Sequence, residues 1–213
     1  MASALIHIAV ANELNKELKK NKTKLLIGSI APDISKQMGE SKDKSHFLNG
    51  KDDIPNLEWF LIRYKDKLND DFVLGYYIHL FTDYLWFKYF IPEIYKKDMI
   101  TKLDGTTFKC SKNGLKRYIY NDYTNLNIQI IDEYNLDLKL FYNKLPEIDN
   151  IIQEISIDKL DVLLDKLGLI IENSKEKKQL IFNIENIKKF IGLAVELTLS
   201  NLNDIQNYNK KSD

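Results

Sequence analysis

Residues 72–87 read Phe-Val-Leu-Gly-Tyr-Tyr-Ile-His-Leu-Phe-Thr-Asp-Tyr-Leu-Trp-Phe, and this stretch decides the fold. It is apolar on every side of a helical wheel, which is typical of a helix buried within a protein. Apart from tyrosines, its ionisable residues are His79 and Asp83, which are four residues apart and share one helical face. A buried carboxylate is costly unless it is paired or binds a cation, and the stretch contains no Lys or Arg. Two interpretations of Asp83 stay open at this point: a metal ligand, or a plain hydrogen-bond partner of His79.

The composition indicates a globular protein of one domain. The chain has 213 residues, of which 44% are hydrophobic and 29% charged. Lys+Arg and Asp+Glu each number 31, so no global field attracts nucleic acid, although a local basic groove stays open. The single cysteine, Cys110, excludes an internal disulfide framework and is compatible with a reducing compartment.

The N-terminal residues 1–11 are apolar but lack a basic n-region and continue with helical periodicity, which argues against a signal peptide. The helix around His79 is short for a membrane span and carries His, Thr and Asp in its middle. We therefore expect a soluble, cytoplasmic protein without a transmembrane segment.

Helical periodicity dominates the chain and predicts an all-α, single-domain multi-helix bundle over residues 1–205. The helices are predicted over residues 3–20, 25–30, 56–68, 70–90, 115–133, 137–144, 146–155, 158–172 and 184–203. Residues 35–53 read as a long polar loop, residues 97–113 as an irregular excursion with room for a small hairpin, and residues 206–213 as a frayed polar tail.

The candidate ligands concentrate in the first half of the chain. His7 lies on the apolar face of the first helix, His46 lies in the long loop, and Asp33 follows Pro32 at the end of an apolar element. Each has an ordinary alternative: His7 as a hydrogen-bonded core residue, and Asp33 as the cap of the next turn. Imidazole and carboxylate together suit zinc, and other divalent metals share these ligands.

Four motifs in chain order resemble the bacterial zinc-dependent phospholipase C family, which is akin to the zinc nucleases of fungi and plants. They are Leu-Ile-His7, Leu-Ile-Gly-Ser-Ile-Ala-Pro-Asp33, Ser-His46-Phe and Gly-Tyr-Tyr-Ile-His79-Leu-Phe-Thr-Asp83, and they lie in roughly the first ninety residues. The resemblance implies a metal cleft between the N-terminal helix and the central buried helix. It assigns Asp33, His46 and His79 to one zinc and His7 and Asp83 to a second, with Asp83 also adjacent to the first. Asp33 would additionally orient the attacking water or take its proton.

The family also carries ligands for a third zinc, and here no histidine follows His79. The resemblance therefore implies one or two Zn²⁺ ions, with Glu196 an open substitute for part of the third site.

The expected function is metal-dependent hydrolysis of phosphoric mono- or diesters, with a phospholipid or a small phosphodiester as substrate. The alternative is a catalytically degenerate protein of the same fold that acts as a metal-stabilised binding module. Transient contact with a membrane or lipid stays open, and no nucleic-acid partner is expected, because lysine-rich patches in this neutral chain are interspersed with acids.

Overall fold

The computed structural model describes residues 1–50, 53–141 and 144–212, and most of these residues are helical. The α-helices are α1 (Ala4–Leu18), α2 (Lys22–Gly28), α3 (Ile34–Gln37), α4 (Leu57–Tyr64), α5 (Asp71–Leu85), α6 (Ile91–Ile94), α7 (Lys112–Glu133), α8 (Leu160–Glu172) and α9 (Ile184–Ser212). A small antiparallel sheet of β1 (Tyr95–Lys96), β2 (Met99–Thr101) and β3 (Thr107–Lys109) lies between α6 and α7. The predicted all-α, single-domain fold is therefore confirmed, with its helices around one hydrophobic core.

Helix α1 begins where the sequence predicts. The Ser3 side chain accepts a hydrogen bond from the backbone N–H of Ile6, which satisfies one of the free donors at the helix start. The helix ends at Lys19, whose φ of 51° places it in the left-handed region. Most residues of α1 are buried, and His7 is one of them. Helix α1 therefore carries a histidine into the core.

Helix α5 is the central buried helix that residues 72–87 predict. The Asp70 carboxylate caps it by accepting hydrogen bonds from the backbone N–H groups of Phe72 and Val73. Nearly all of its residues are buried. Beyond α5, a π-helical turn leads into α6, which begins with Pro92 in its first turn, where proline is tolerated. The helical path therefore runs past the predicted end at residue 90 and stops at the end of α6.

Helices α2 and α5 cross at two glycines. A Cβ atom on Gly28 would lie 2.2 Å from the Phe72 carbonyl oxygen, and a Cβ atom on Gly75 would lie 2.2 Å from the Leu25 carbonyl oxygen. The two backbones can approach this closely only because neither crossing residue has a side chain. The contact brings Ser29, which follows α2, against α5.

The second half of the chain closes the core through α7, α8 and α9. Helix α9 packs against α1 and α5, while α7 packs against α1, α8 and α9. The fully buried carboxylate of Asp122 on α7 accepts hydrogen bonds from the backbone N–H groups of Leu180, Ile181 and Phe182. This carboxylate fixes the segment before α9 to α7.

Two predicted helices in this half are wrong. Within residues 137–144 the structure has only a 3-10 turn (Leu138–Phe141), and residues 142 and 143 lie outside its description. Residues 146–155 form no helix. Their isoleucines, Asp149 and Asn150 are weak helix formers, so tertiary contacts determine the conformation of this segment. The Tyr64 hydroxyl accepts a hydrogen bond from the backbone N–H of Gln153 and donates one to the neighbouring glutamate, which ties this segment to α4.

Helix α9 is longer than predicted. The apolar stripe continues past residue 203, since Leu202 is buried and Ile205 is partly buried against the core. The residues predicted as a frayed tail therefore begin inside a helix that reaches Ser212. The hairpin in residues 97–113 is present, and the sheet adds a third strand, β1, before it. Among the described residues, no helix is long and apolar enough to cross a bilayer.

Candidate metal centre

The five predicted metal ligands meet in one buried cluster, although they come from separate parts of the chain. His7 lies on α1, Asp33 ends a 3-10 turn after α2, His46 lies in the loop before α4, and His79 and Asp83 lie on α5. The histidines and Asp83 have no exposed surface, and Asp33 is 8% exposed. We refer to these five residues as the His/Asp cluster.

Asp83 joins α5 to the start of α1. Its Oδ1 atom lies 3.3 Å from His7 Nε2 and accepts a hydrogen bond of 2.8 Å from the backbone N–H of Ala2. Its Oδ2 atom lies 3.5 Å from His79 Nε2, one helical turn away, which is long for a hydrogen bond. The His7 and His79 rings stack with their centroids 3.7 Å apart. The simple interpretation of an Asp83–His79 hydrogen bond therefore does not account for the carboxylate.

Asp33 directs its carboxylate into the cluster. Its side chain makes no capping hydrogen bond to α3, so the alternative in which it only caps the next turn is wrong. Its Oδ1 atom lies 3.7 Å from His46 Nε2 and 2.6 Å from Lys42 Nζ.

The loop around His46 is fixed from several sides. The backbone N–H of His46 donates to the Lys42 carbonyl, and the Tyr76 hydroxyl on α5 donates to the Ser45 carbonyl. Phe47 has a φ of 53°, a left-handed conformation that is rare for a bulky residue, and its ring packs against α4. The strained backbone is held by this aromatic contact, so the position of the histidine is set by packing.

Hydrogen bonds on the outer sides of two rings determine which nitrogen faces the cluster. His79 Nδ1 lies 2.8 Å from the Ser29 carbonyl oxygen, which can only accept, so Nδ1 carries the proton. His46 Nδ1 lies 2.9 Å from Ser45 Oγ, whose hydroxyl points to the carbonyl of Lys42. The Nε2 atoms of the two rings face each other at 3.2 Å. His79 Nε2 is then unprotonated, so it can accept a hydrogen bond from His46 or ligate a cation.

Other polar atoms of the cluster lack a partner. Among the described residues, both ring nitrogens of His7 and the Oδ2 atom of Asp83 are buried without a hydrogen bond. Buried polar atoms in proteins are nearly always satisfied, because leaving one unpaired costs about 1–3 kcal/mol. A cation ligated at this place would satisfy the Asp83 oxygen and one nitrogen of His7.

The protonation states also suit a cation. Burial lowers the pKa of His7 from 6.5 to about 4 and lowers the pKa of His46 well below its ordinary value. Burial alone would raise the pKa of Asp83 and of Asp33. The neighbouring histidines outweigh burial at Asp83, and Lys42 together with His79 and His46 outweighs it at Asp33, so both pKa values lie below the ordinary range. Neutral imidazoles and ionised carboxylates are the forms that bind metals.

The spacing of the donors fits zinc. Ligands about 2.0–2.2 Å from a tetrahedral zinc are about 3.3 Å apart. Neighbouring donor atoms of the cluster are between 3.2 and 3.9 Å apart. The residues present therefore fit a divalent cation with small adjustments, and nitrogen and oxygen donors leave manganese or iron as alternatives.

The donors form two groups that share a histidine. His7, His79 and Asp83 present ligand atoms within 4.8 Å of one another, and so do Asp33, His46 and His79. The second group is the set that the family resemblance assigns to one zinc, and the first adds His79 to the expected pair. Oδ1 of Asp83 faces His7, whereas its Oδ2 faces His79 and, at 3.9 Å, His46. Asp83 is thus the carboxylate between the two groups, which the sequence left undecided.

The sequence gives no sign of one residue of this site, Lys42, and the candidate Glu196 lies outside the cluster. Lys42 forms an ion pair with Asp33 and its side chain is 18% exposed. In the sequence it is one of several lysines in a polar loop, and nothing there distinguishes it. Glu196, considered as a substitute ligand, is exposed on α9 and belongs to neither group.

A cavity of about 410 Å³ lies beside the cluster. Asp33 is the ligand that lines it, and Lys36 and Lys166 add positive charge. The side chains of Leu163, Leu167 and Ile170 on α8 add an apolar wall. The cavity therefore combines cationic and apolar surfaces at the edge of the His/Asp cluster.

Comparison with known proteins finds no match for this chain among family models, curated proteins or solved structures.

Proposed function

We propose that this protein is a metal-dependent hydrolase of phosphate esters and that zinc is its metal. The observation that carries the proposal is the His/Asp cluster, in which imidazole Nε2 atoms and an unpartnered carboxylate oxygen converge beside a cavity. The motif resemblance to the zinc-dependent phospholipase C family supports the same chemistry. Imidazole and carboxylate ligands with two adjacent groups are the arrangement that phosphate-ester hydrolysis uses.

The chain's own residues supply position and charge. A divalent cation held by the residues of the His/Asp cluster would polarise a phosphoryl oxygen and lower the pKa of a water molecule, which is the chemistry that phosphate-ester hydrolysis needs. The Ser29 carbonyl holds the ring of His79 in the tautomer that leaves Nε2 free to ligate, and the Ser45 hydroxyl contacts Nδ1 on the outer side of the His46 ring. Asp83 spans both ligand groups with its two oxygen atoms.

Asp33 is the catalytic residue that we propose. It is the ligand that lines the cavity, so a substrate bound there would lie against its carboxylate. Because Lys42 holds its pKa below the ordinary range, Asp33 stays ionised near neutral pH. An ionised carboxylate accepts a hydrogen bond from the attacking water and orients it. With this low pKa, Asp33 is better suited to orienting the attacking water than to keeping the proton that the water loses.

The cavity indicates the kind of ester. Its lysines favour an anionic group, and its wall from α8 favours an apolar group on the same molecule. A phosphodiester that joins a small polar part to an apolar part meets both requirements. A lipid headgroup ester and a small soluble phosphodiester both belong to this class.

One observation favours a second candidate, a binding module in which the metal only holds the helices together. Four of the five ligands have no exposed surface, and structural metal sites are typically closed. The described residues also provide no third ligand group, because all three histidines of the chain are in the cluster. His79 offers only its Nε2 atom to the two groups, so a second ion would rely on the remaining ligands, and turnover decides between the candidates.

The test is hydrolysis by the zinc-loaded protein of bis(p-nitrophenyl) phosphate and of p-nitrophenyl phosphorylcholine. We expect turnover by the wild type and, for Asp33→Asn, a loss of roughly a hundredfold or more with zinc retained at the His7 group. Asp43→Asn is the matched control, since Asp43 is exposed in the same part of the chain. Zinc binding without turnover of either ester would support the binding module. No zinc binding would refute both candidates.

A further inference from the structure

Lys42 brings an ammonium group to the edge of the His/Asp cluster. Its Nζ atom lies 2.6 Å from Asp33 Oδ1 and 3.1 Å from Met1 Sδ, with the side chain 18% exposed. The nearby Lys36 differs, because its ammonium group contacts the hydroxyl of Tyr120 at 3.0 Å. Lys44, two residues along the loop, is exposed. The loop therefore directs one particular lysine to a predicted metal ligand.

The position of Lys42 creates a competition for one oxygen atom. Oδ1 of Asp33 lies 2.6 Å from Lys42 Nζ and 3.7 Å from His46 Nε2. A divalent cation ligated by Asp33 would draw negative charge away from this carboxylate and weaken its pairing with the ammonium group. A mostly buried ammonium group then needs another anion, because an unpaired buried charge is costly.

The cavity offers the place for that anion. Lys42 is not itself among the lining residues, but Asp33 and Met1 line the cavity and both contact Lys42. The charges of the cluster support the same conclusion. Two divalent cations would carry more positive charge than the two carboxylates of the cluster can balance, and Lys42 adds a further positive charge. An anionic ligand in the cavity would balance this excess.

We propose that Lys42 is a specificity-determining residue that exchanges partners: it pairs with Asp33 in the metal-free protein and donates to a phosphoryl oxygen of the substrate once Asp33 ligates a metal. This inference rests on the proposed function and deepens it, because it defines the substrate as an anionic phosphate ester. It also makes metal and substrate binding cooperative, because the anionic substrate balances the positive charge that the metal adds, and the metal frees Lys42 to pair with the substrate.

The experiment compares wild type, Lys42→Met, Lys42→Arg and Lys44→Met. Zinc affinity is measured by competition with a chromogenic chelator, and inorganic phosphate affinity is measured by calorimetry on the zinc-loaded proteins. For Lys42→Met we expect zinc to bind at least about threefold more tightly, because Asp33 has lost its competing cation, and phosphate to bind roughly tenfold or more weakly. Lys44→Met should match the wild type in both affinities. Lys42→Arg keeps the charge, so its phosphate affinity should stay within about threefold of the wild type.

The outcomes separate this inference from the function on which it rests. Opposite changes of the two affinities in Lys42→Met support the partner exchange. If the wild type binds zinc and Lys42→Met binds phosphate as tightly as the wild type does, the partner exchange is overturned and the hydrolase proposal stands. Equal losses of both affinities, or equal loss of phosphate binding in Lys42→Arg and Lys42→Met, would assign Lys42 a structural role and also overturn it. A wild type that binds no zinc would refute the proposed function itself.

Discussion

Replacing Gly75 by alanine should weaken metal binding, although residue 75 ligates nothing. The new Cβ would lie 2.2 Å from the Leu25 carbonyl oxygen, where real Cβ atoms keep at least 3.0 Å, so α2 and α5 must separate by about 0.8 Å. Overpacking of this kind costs about 1–3 kcal/mol, and the better helix propensity of alanine offsets roughly 1 kcal/mol. The same separation would lengthen the 2.8 Å bond between His79 Nδ1 and the Ser29 carbonyl to about 3.6 Å, which no longer orients the ring.

Two assays follow this prediction. We expect the melting temperature of the metal-free protein, measured by circular dichroism, to fall by up to about 8 °C, and the zinc affinity to fall roughly 10- to 100-fold. The control is Gly192→Ala on α9, where a Cβ has no neighbour within 4 Å, so the melting temperature should stay level or rise slightly. Wild-type values of both quantities in Gly75→Ala would refute the argument that the crossing positions the metal centre.

Three further perturbations test other parts of the account. Lowering the pH from about 6.5 to about 4 should remove roughly 3 kcal/mol of the free energy of unfolding of the metal-free protein, because unfolded His7 takes up a proton that the folded state excludes. Urea denaturation at several pH values measures this loss. A free energy of unfolding that does not change over this pH range would contradict the prediction. Asp122→Asn should lower the free energy of unfolding by about 2–4 kcal/mol, because the charged acceptor for the N–H groups of residues 180–182 is lost; urea denaturation gives the value, and a change below about 0.5 kcal/mol would show that the carboxylate is dispensable. Ser45→Ala should weaken zinc binding about tenfold, because the ring of His46 loses its outer partner; chelator competition measures this, and an unchanged affinity would remove Ser45 from the site.

The burial and grouping of the candidate ligands could be predicted from the sequence because their signals are local. The spacing of His79 and Asp83 places them one helical turn apart whatever the rest of the chain does, and the apolar surroundings indicate burial. Asp33 follows a proline that ends a helical segment, so its position at the mouth of an element also depends on neighbours in sequence.

Features that depend on tertiary contacts could not be predicted in this way. Lys42 contacts Asp33 only when the loop is folded, and the spacing of lysines in the loop does not distinguish Lys42 from its neighbours. Residues 146–155 have helical spacing of apolar side chains, yet hydrogen bonds from Tyr64 to this segment hold it in an irregular conformation. The crossing of Gly28 and Gly75 likewise joins residues far apart in sequence, and an isolated glycine in a helical pattern is only a weak sign of close packing.

The measurement that tests the central claim most directly is the metal content of the purified protein after incubation with zinc and removal of the excess. Elemental analysis should find one or two zinc ions in the wild type, markedly less in His79→Ala and Asp83→Asn, and the wild-type amount in Glu196→Gln, whose side chain is exposed. A wild type that holds no metal, or ligand variants that hold as much zinc as the wild type, would contradict the assignment of the His/Asp cluster as a metal centre.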